Sequence, residues 1–395
     1  MKSLDDIDLG KKRIFMRVDF NVPLDKERHV TDDLRIRAVL PSITKVLDSG
    51  GKLILASHLG RPKGKPVEQF SLKPAAEYLE GLIGKPVVFV QDCIGPEVKK
   101  SVSKVGDGEV ALLENLRFHP EEEKNDPEFS RQLAELCDVY VNEAFSASHR
   151  AHASVEGITH FVSVCAAGYQ LQKELEYFEK ALGNPQRPLA MVIGGAKVSS
   201  KIGVLENIIS RADFLLIGGA MANTFFKAQG KDVGKSLVED EYIETAARLL
   251  ETAKTRGVKV FLPVDAVVSV DRDSCGDVRQ VMIDKVPQDT QILDIGSQTI
   301  EVFESVLKNC KTVVWNGPMG VFETPPFNKG TYSLAEFLGS IDALTVIGGG
   351  DSAAAIRQAG MEDKVSYVST GGGAFLELME GIQLPGVRAL EECDR

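Results

Sequence analysis

Short apolar runs rich in Val, Ile and Leu recur along this 395-residue chain, each closing on Gly, Asn or a polar cluster and each followed by a helix-like segment. That rhythm constrains the fold more than any other feature. Continuously apolar runs, as opposed to alternating ones, belong to strands buried on both faces, and two covered faces mean a parallel sheet between layers of helices. The first part offers the strands RIFMRVDF, KLILAS, PVVFV, VALLEN and DVYVNEAF; the second offers LAMVIGG, FLLIGG, KVFLPVD, TVVWNG, LTVIGGG and VSYVSTGG. The fold class is therefore α/β. The chain is longer than one core usually serves, which implies two or three domains. A boundary is expected near residues 168–185, where Leu171, Leu175, Phe178 and Leu182 recur at helical spacing until Gly183, Asn184 and Pro185 stop the pattern. One helix is expected to join two α/β lobes.

Composition narrows the partners. Hydrophobic residues at 43% and charged residues at 26% match a soluble globular protein. No apolar run approaches the ~18–20 residues of a spanning helix, and MKSLDDIDLG places acids where a signal peptide has its apolar stretch. A net charge of -11 opposes nucleic acid and anionic membranes, so any bound anion needs a local basic pocket. Cys93, Cys137, Cys165, Cys275, Cys310 and Cys393 are scattered without a CxxC and read as reduced thiols of a cytoplasmic protein.

Open parallel sheets bind ligands at the carboxyl ends of their strands. In the first half those exits carry Arg35, His58, Arg61, Arg117, His119, His149, Arg150 and His152, and all six histidines precede residue 161. Taken as a set, they describe one pocket for a small, highly charged anion, since the planar Arg fork binds phosphate or carboxylate bidentately. Asp19 and Asn21 either accept from a substrate hydroxyl and orient an Arg, or simply form the turn before Pro23. The i,i+3 pair His149 and His152 lacks a carboxylate at ligand spacing and makes a poor metal site.

Second-half exits end in glycines instead: Gly194-Gly195, Gly218-Gly219, Gly317, Gly348-Gly349-Gly350 and Gly371-Gly372-Gly373. Glycines there let phosphates reach backbone N–H groups at helix N-termini, so this lobe reads as a nucleotide site. GKDVGKS is not a Walker A loop, because its first glycine is one residue too close and no strand precedes it. GGGDSA fits a dinucleotide fingerprint formally, but no acid closes the next strand. Asp351 beside phosphates calls for an intervening cation and reads as an Mg²⁺ ligand, or else as a helix N-cap. Lys197 and Lys201 are expected on one face of an opening helix and within reach of phosphates, or as a solvated face. Glu323 suits ribose hydroxyls or the bare surface, and the lone Trp315 suits packing.

RVDFNVPLD, SHLGRP, LLENLRFH, SHRAHAS, GGAKVSSK, WNGPMGVFE, IGGGDS and STGGGA follow one another in order over nearly the whole chain. In this the chain resembles the phosphoglycerate kinases. The resemblance implies two Rossmann-like lobes: residues 1–170 for 3-phosphoglycerate, and residues 171–379, including the interlobe helix, for MgADP or MgATP. It also implies hinge closure and a tail, 380–395, packed on the first lobe. By motif, Asp19, Phe20, Asn21, Arg35, His58, Leu59, Gly60, Arg61, Arg117 and Arg150 resemble the family's substrate-binding residues. Lys197, Lys201, Asn316, Glu323, Gly349, Gly350, Asp351 and Ser352 resemble its nucleotide side, with Asp351 at the metal. Arg35, Lys197, Gly350 and Gly372 would face the transferring group. The implied protein is a cytoplasmic, glycolytic monomer that exchanges a phosphoryl group between 1,3-bisphosphoglycerate and MgADP. The basic pocket alone also permits a kinase of another anionic metabolite, and the glycine-rich lobe alone a non-catalytic nucleotide-binding regulator. The chain departs from the usual family pattern at Glu143 (commonly Asp), Ser297-Gln298 (Pro-Lys), Ser352 (Thr) and Phe375 (Ser).

Overall fold

The computed structural model describes residues 1–273 and 277–393, so Cys275 lies outside the described residues. The chain forms two compact units, one made of residues 1–175 and the segment from Gln383 onward, the other of residues 176–382.

Unit 1 is built on six strands, β1 (Arg13–Arg17), β2 (Lys52–Ala56), β3 (Val87–Val90), β4 (Val110–Leu113), β5 (Val139–Asn142) and β6 (Cys165–Ala167). They pair in parallel in the order β3-β4-β2-β1-β5-β6. All four residues of β4 and of β5 are buried, as the continuous apolar runs require. The helix Leu34–Asp48 turns Ile36, Val39, Ile43, Val46 and Leu47 onto this sheet's core. That spacing is the helical period of an apolar stripe.

Unit 2 repeats the plan with β7 (Leu189–Ile193), β8 (Phe214–Ile217), β9 (Lys259–Phe261), β10 (Asp265–Ser269), β11 (Arg279–Met282), β12 (Gln291–Ile295), β13 (Thr312–Asn316), β14 (Leu344–Gly348) and β15 (Tyr367–Val368). Six form a parallel sheet, β15-β14-β13-β7-β8-β9, and β11-β10-β12 form a small antiparallel sheet. Trp315 lies fully buried in the core of this unit, its indole N–H donating to the Gly317 carbonyl at 2.7 Å. Every strand expected from the apolar runs is present. β6 and the antiparallel sheet were not expected: β6 has three residues, and β11 is mostly exposed and lacks a continuous apolar run.

The helix Tyr169–Phe178 continues as a wider turn over Glu179–Gly183 and ends at the anticipated stop. Its second half packs within unit 2, where Tyr177 stacks on Tyr367 at 4.3 Å and Phe178 meets the edge of Phe375 at 6.2 Å. Phe375 thus fills the space beside Gly348, where a Cβ would lie 2.1 Å from its ring.

One expectation fails. Cys165 in β6 and Cys393 at the end of the terminal helix Pro385–Cys393 form a disulfide, with Cα atoms 6.1 Å apart and 228 residues of chain between them. The fold creates that approach by laying the terminal helix against unit 1, where the Gly386 N–H donates to the Ser148 carbonyl at 2.9 Å. Among the described residues Cys93, Cys137 and Cys310 are free and buried.

Candidate functional site

In unit 1 the chain leaves β1 toward β2 and leaves β5 toward β6, on opposite sides, so the carboxyl ends of β1 and β5 open a crevice. Asp19 and Asn21 follow β1 into it. Asp19 accepts from the Ser146 hydroxyl and lies 2.9 Å from Arg35 Nη1, which also donates to the Asn21 carbonyl at 3.0 Å. The Gly60 N–H donates to Asn21 Oδ1 at 2.9 Å, and Arg117 Nη1 donates to the Gly60 carbonyl at 3.1 Å. His58 Nδ1 stands 4.0 Å from Asp19 Oδ1. Asp19, Asn21, Arg35, His58, Gly60 and Arg117 therefore form one network. Arg150 is exposed and donates to His149 at 3.0 Å, while Arg61 is exposed and, among the described residues, untied to the network. Phe20 and Leu59 turn their side chains into the core.

Electrostatics changes the reading of the histidines. Burial pushes His58 well below its usual range, with Asp19 opposing and the charges of Arg17, Arg117 and Arg35 reinforcing. Burial and the same kind of neighbours lower His149 and bring His152 down to about 3. These three are neutral donors and acceptors, where the sequence had read them as cations. His119 leaves the pocket altogether and bonds Asp92 at 2.7 Å. Burial opposes ionisation of Asp19, but the Arg35 charge and the bonds it accepts outweigh burial and hold its carboxyl at about 2.

In unit 2 the switch lies between β7 and β13. Glycines there serve the protein's own backbone first. A Cβ on Gly317 would lie 2.2 Å from the Gly194 carbonyl oxygen, and one on Gly219 2.5 Å from that of Gly195. Gly350 and Gly372, by contrast, face open space. Gly350 begins the helix Gly350–Gln358, and Gly372, at φ 46, precedes the helix Gly373–Met379. Their first N–H groups have no intrahelical acceptor. Gly349 holds the N-cap position, so Asp351 is not the cap; it is an exposed second residue of that helix. Lys201 is itself the residue before the helix Ile202–Ile208, so Lys197 and Lys201 do not share a helical face. Lys201 is half-buried and donates to Asn316 Oδ1, whose Nδ2 donates to the Gly348 carbonyl at 3.0 Å. Lys197 is exposed. Ser352 Oγ accepts the Gly317 N–H at 2.6 Å. A cavity of about 200 Å³ is lined by Gly195, Gly219, Asn223, Phe322, Glu323 and Asp351 among others.

The whole-chain comparisons decide the family. The phosphoglycerate kinase model matches residues 4–382. The phosphoglycerate kinase of Syntrophobacter fumaroxidans is 70% identical over 393 residues, covering 100% of this chain and 99% of that one. That of Chloroherpeton thalassium is 56% identical over 395 residues, covering 99% of each. The chain belongs to the phosphoglycerate kinase family. The structure of the Coxiella burnetii phosphoglycerate kinase superposes with a TM-score of 0.92 at 39% identity, covering 100% of this chain and 99% of that one. That from Pyrococcus horikoshii gives 0.84 at 33%, with the same coverage. The chain is thus a phosphotransferase with a carboxyl acceptor, and its reaction is the glycolytic transfer between 1,3-bisphosphoglycerate and ADP.

In this phosphoglycerate kinase, several buried charged residues beside these sites escaped sequence reading. Arg17 is fully buried and donates to Ser154 Oγ at 2.9 Å, to His58 Nδ1 at 3.1 Å and to the Val18 carbonyl. Ser154 in turn donates to Glu122, also fully buried, at 2.6 Å. An Arg interrupting the apolar run RIFMRVDF was the available signal. Asp294 lines the same cavity as Glu323 and Asp351, accepts the Gly330 N–H at 2.7 Å and is raised by burial to about 8. The departures from the family pattern keep local partners: Gln280 donates to Ser297 Oγ at 2.8 Å, and Glu143 accepts the Gln170 N–H at 3.1 Å.

Proposed function

We propose that the two sites act together: unit 1 holds 3-phosphoglycerate or 1,3-bisphosphoglycerate, unit 2 holds the Mg²⁺-nucleotide, and closure of the chain about its helix Tyr169–Phe178 brings them into reaction. The observation that carries the mechanism is the bond from Arg17 to His58. A guanidinium only donates, so His58 Nδ1 accepts and Nε2 bears the hydrogen. His58 therefore presents an N–H to substrate and does not act as a base. The acceptor carboxylate is already ionised at neutral pH and needs none, which leaves positioning and charge neutralisation as the catalytic work.

Arg35, Lys197 and the N–H groups near Gly350 and Gly372 take the equatorial oxygens of the transferring group. Arg117, Arg61, Arg150, Asn21, His58 and the backbone of Phe20, Leu59 and Gly60 anchor the rest of the substrate. Asp19 holds Arg35. Lys201 meets the nucleotide phosphates, Asn316, Gly349 and Ser352 shape their cradle, and Glu323 accepts from ribose. Asp351, an exposed carboxylate on the same cavity, fits a hard cation. Mg²⁺ held there by Asp351 would supply charge neutralisation for the nucleotide phosphates. We assign a monomer working in the cytoplasm.

The direct test is turnover of ATP with 3-phosphoglycerate, with and without Mg²⁺, using 2-phosphoglycerate and glycerate as controls. Turnover should require both Mg²⁺ and 3-phosphoglycerate. Arg35→Ala should lower kcat by about 10²–10³-fold with the nucleotide KM nearly unchanged. A raised nucleotide KM with kcat intact would show that Arg35 serves the wrong ligand.

A further inference from the structure

Outside the pocket, β3 and the turn that follows β4 bring a second set of chemistry together. Asp92 and Cys93 lie just past the end of β3, and His119 lies just past the turn Leu116–Phe118. One ligand atom from each of the three lies within 4.8 Å of the others. His119 Nε2 is 2.7 Å from Asp92 Oδ1, and the ring is steadied by Phe129 at 5.4 Å. Cys93 is fully buried, and its thiol makes no hydrogen bond among the described residues, unlike those of Cys137 and Cys310. A buried thiol without a hydrogen bond, an imidazole and a carboxylate thus stand together as three donors of different type.

We propose that Asp92, Cys93 and His119 bind a thiophilic divalent cation of the zinc class. Carboxylate, thiolate and imidazole are the three donor types that tetrahedral zinc accepts, at about 2.0–2.3 Å from the metal. Those bond lengths place donors about 3.4 Å apart, so the exposed Asp92 side chain would turn off His119 to admit the cation. Entry is from the Asp92 side, which is exposed, and water would take the fourth position. Carboxylate and thiolate together neutralise a dication. The carboxyl groups of Asp92, Glu122 and Glu114 around the Cys93 sulfur also favour a cation there. Binding releases the Cys93 thiol proton to solvent as the sulfur–metal bond forms. The site is separate from the Arg35 network, and none of its residues serves the transfer reaction.

The test uses the full chain with Cd²⁺ as probe, titrated while the ultraviolet sulfur-to-cadmium charge-transfer band is followed, and with Co²⁺ for its visible spectrum. One equivalent of Cd²⁺ should give the band in the wild type, Cys93→Ser should abolish it, and Cys137→Ser and Cys310→Ser should keep it. Asp92→Asn and His119→Gln should retain the band but weaken binding by at least about tenfold. Circular dichroism shows whether each variant is folded. A band that survives in folded Cys93→Ser, or no band in the wild type at one equivalent, overturns the proposal. Should Cys93→Ser fail to fold, unchanged affinity in both Asp92→Asn and His119→Gln overturns it equally.

Discussion

Arg17→Met strips the buried knot behind the substrate crevice of its only charge-bearing donor. Three bonds vanish, to Ser154, His58 and Val18. Glu122, fully buried, also loses the first-ranked charge that opposes the effect of burial on its carboxyl, which already stands above its usual range. Taking the partner from a buried ionic group costs about 3–5 kcal/mol, whereas leaving buried neutral groups unmatched costs about 1–3 kcal/mol. Glu122 moves between those limits by taking up a proton. A carboxyl whose folded pKa lies above its unfolded value gives stability that is fully present below the unfolded pKa and lost as pH rises through the folded one, at about 1.36 kcal/mol per unit of pKa difference. The variant should therefore be less stable than wild type by about 3–5 kcal/mol near pH 8, shrinking to about 1–3 kcal/mol near pH 5. His58 acts in the same direction, because removing Arg17 lifts one of the charges that keep it unprotonated at low pH. Trp315, the single tryptophan, reports on unit 2, so the assay is hydrogen exchange of the β1 and β5 amides against pH. Arg17→Met/Glu122→Gln should lose most of the pH slope. A stability difference that stays flat from about pH 5 to pH 8 refutes the reasoning.

Glu143, raised to about 7 by burial against the bonds from Ser42, Gln170 and Leu171, makes the wild type lose stability as pH climbs through 7. Glu143→Gln should remove that loss, a relative gain of as much as about 3 kcal/mol near pH 8 and almost none near pH 4, read from urea melts at the two pH values. Cys393→Ser, or reduction of the wild type, should cost about 2–4 kcal/mol and raise amide exchange in residues 385–393; unchanged exchange would mean that the helix docks without its disulfide. Gly219→Ala sets a Cβ 2.5 Å from the Gly195 carbonyl at a φ of 67. The strained backbone alone costs about 1–2 kcal/mol, and calorimetry with MgADP should show weakened binding while 3-phosphoglycerate binding persists.

How far the sequence reached is clear from particular residues. Gly183-Asn184-Pro185 marked the end of the joining helix correctly, because a helix stop is a local conformational matter. Most strands of the two parallel sheets were legible because burial on both faces makes their runs continuously apolar, whereas the three-residue β6 and the antiparallel β10, β11 and β12 carried no such signal. For Asp351, by contrast, the alternative to a metal ligand was a cap that Gly349 in fact supplies, and Lys197 and Lys201 suggested a helical face that does not exist. Both readings assumed a helix start that only the completed backbone settles, and boundaries of that kind shift by a residue or two.

By itself the sequence determined the α/β class, the strand rhythm and the ordered motifs that mark the family, since each depends on residue type and near spacing. Tertiary structure alone decided which charges are charges. It buried His58, His149 and His152 among arginines and left them neutral, sent His119 to Asp92, and set Arg17 against His58 Nδ1 so that the ring hydrogen sits on Nε2. It also joined Cys165 to Cys393 across 228 residues. Protonation and long-range pairing depend on what the fold removes from water and what it brings alongside, and neither quantity is written in the order of the residues.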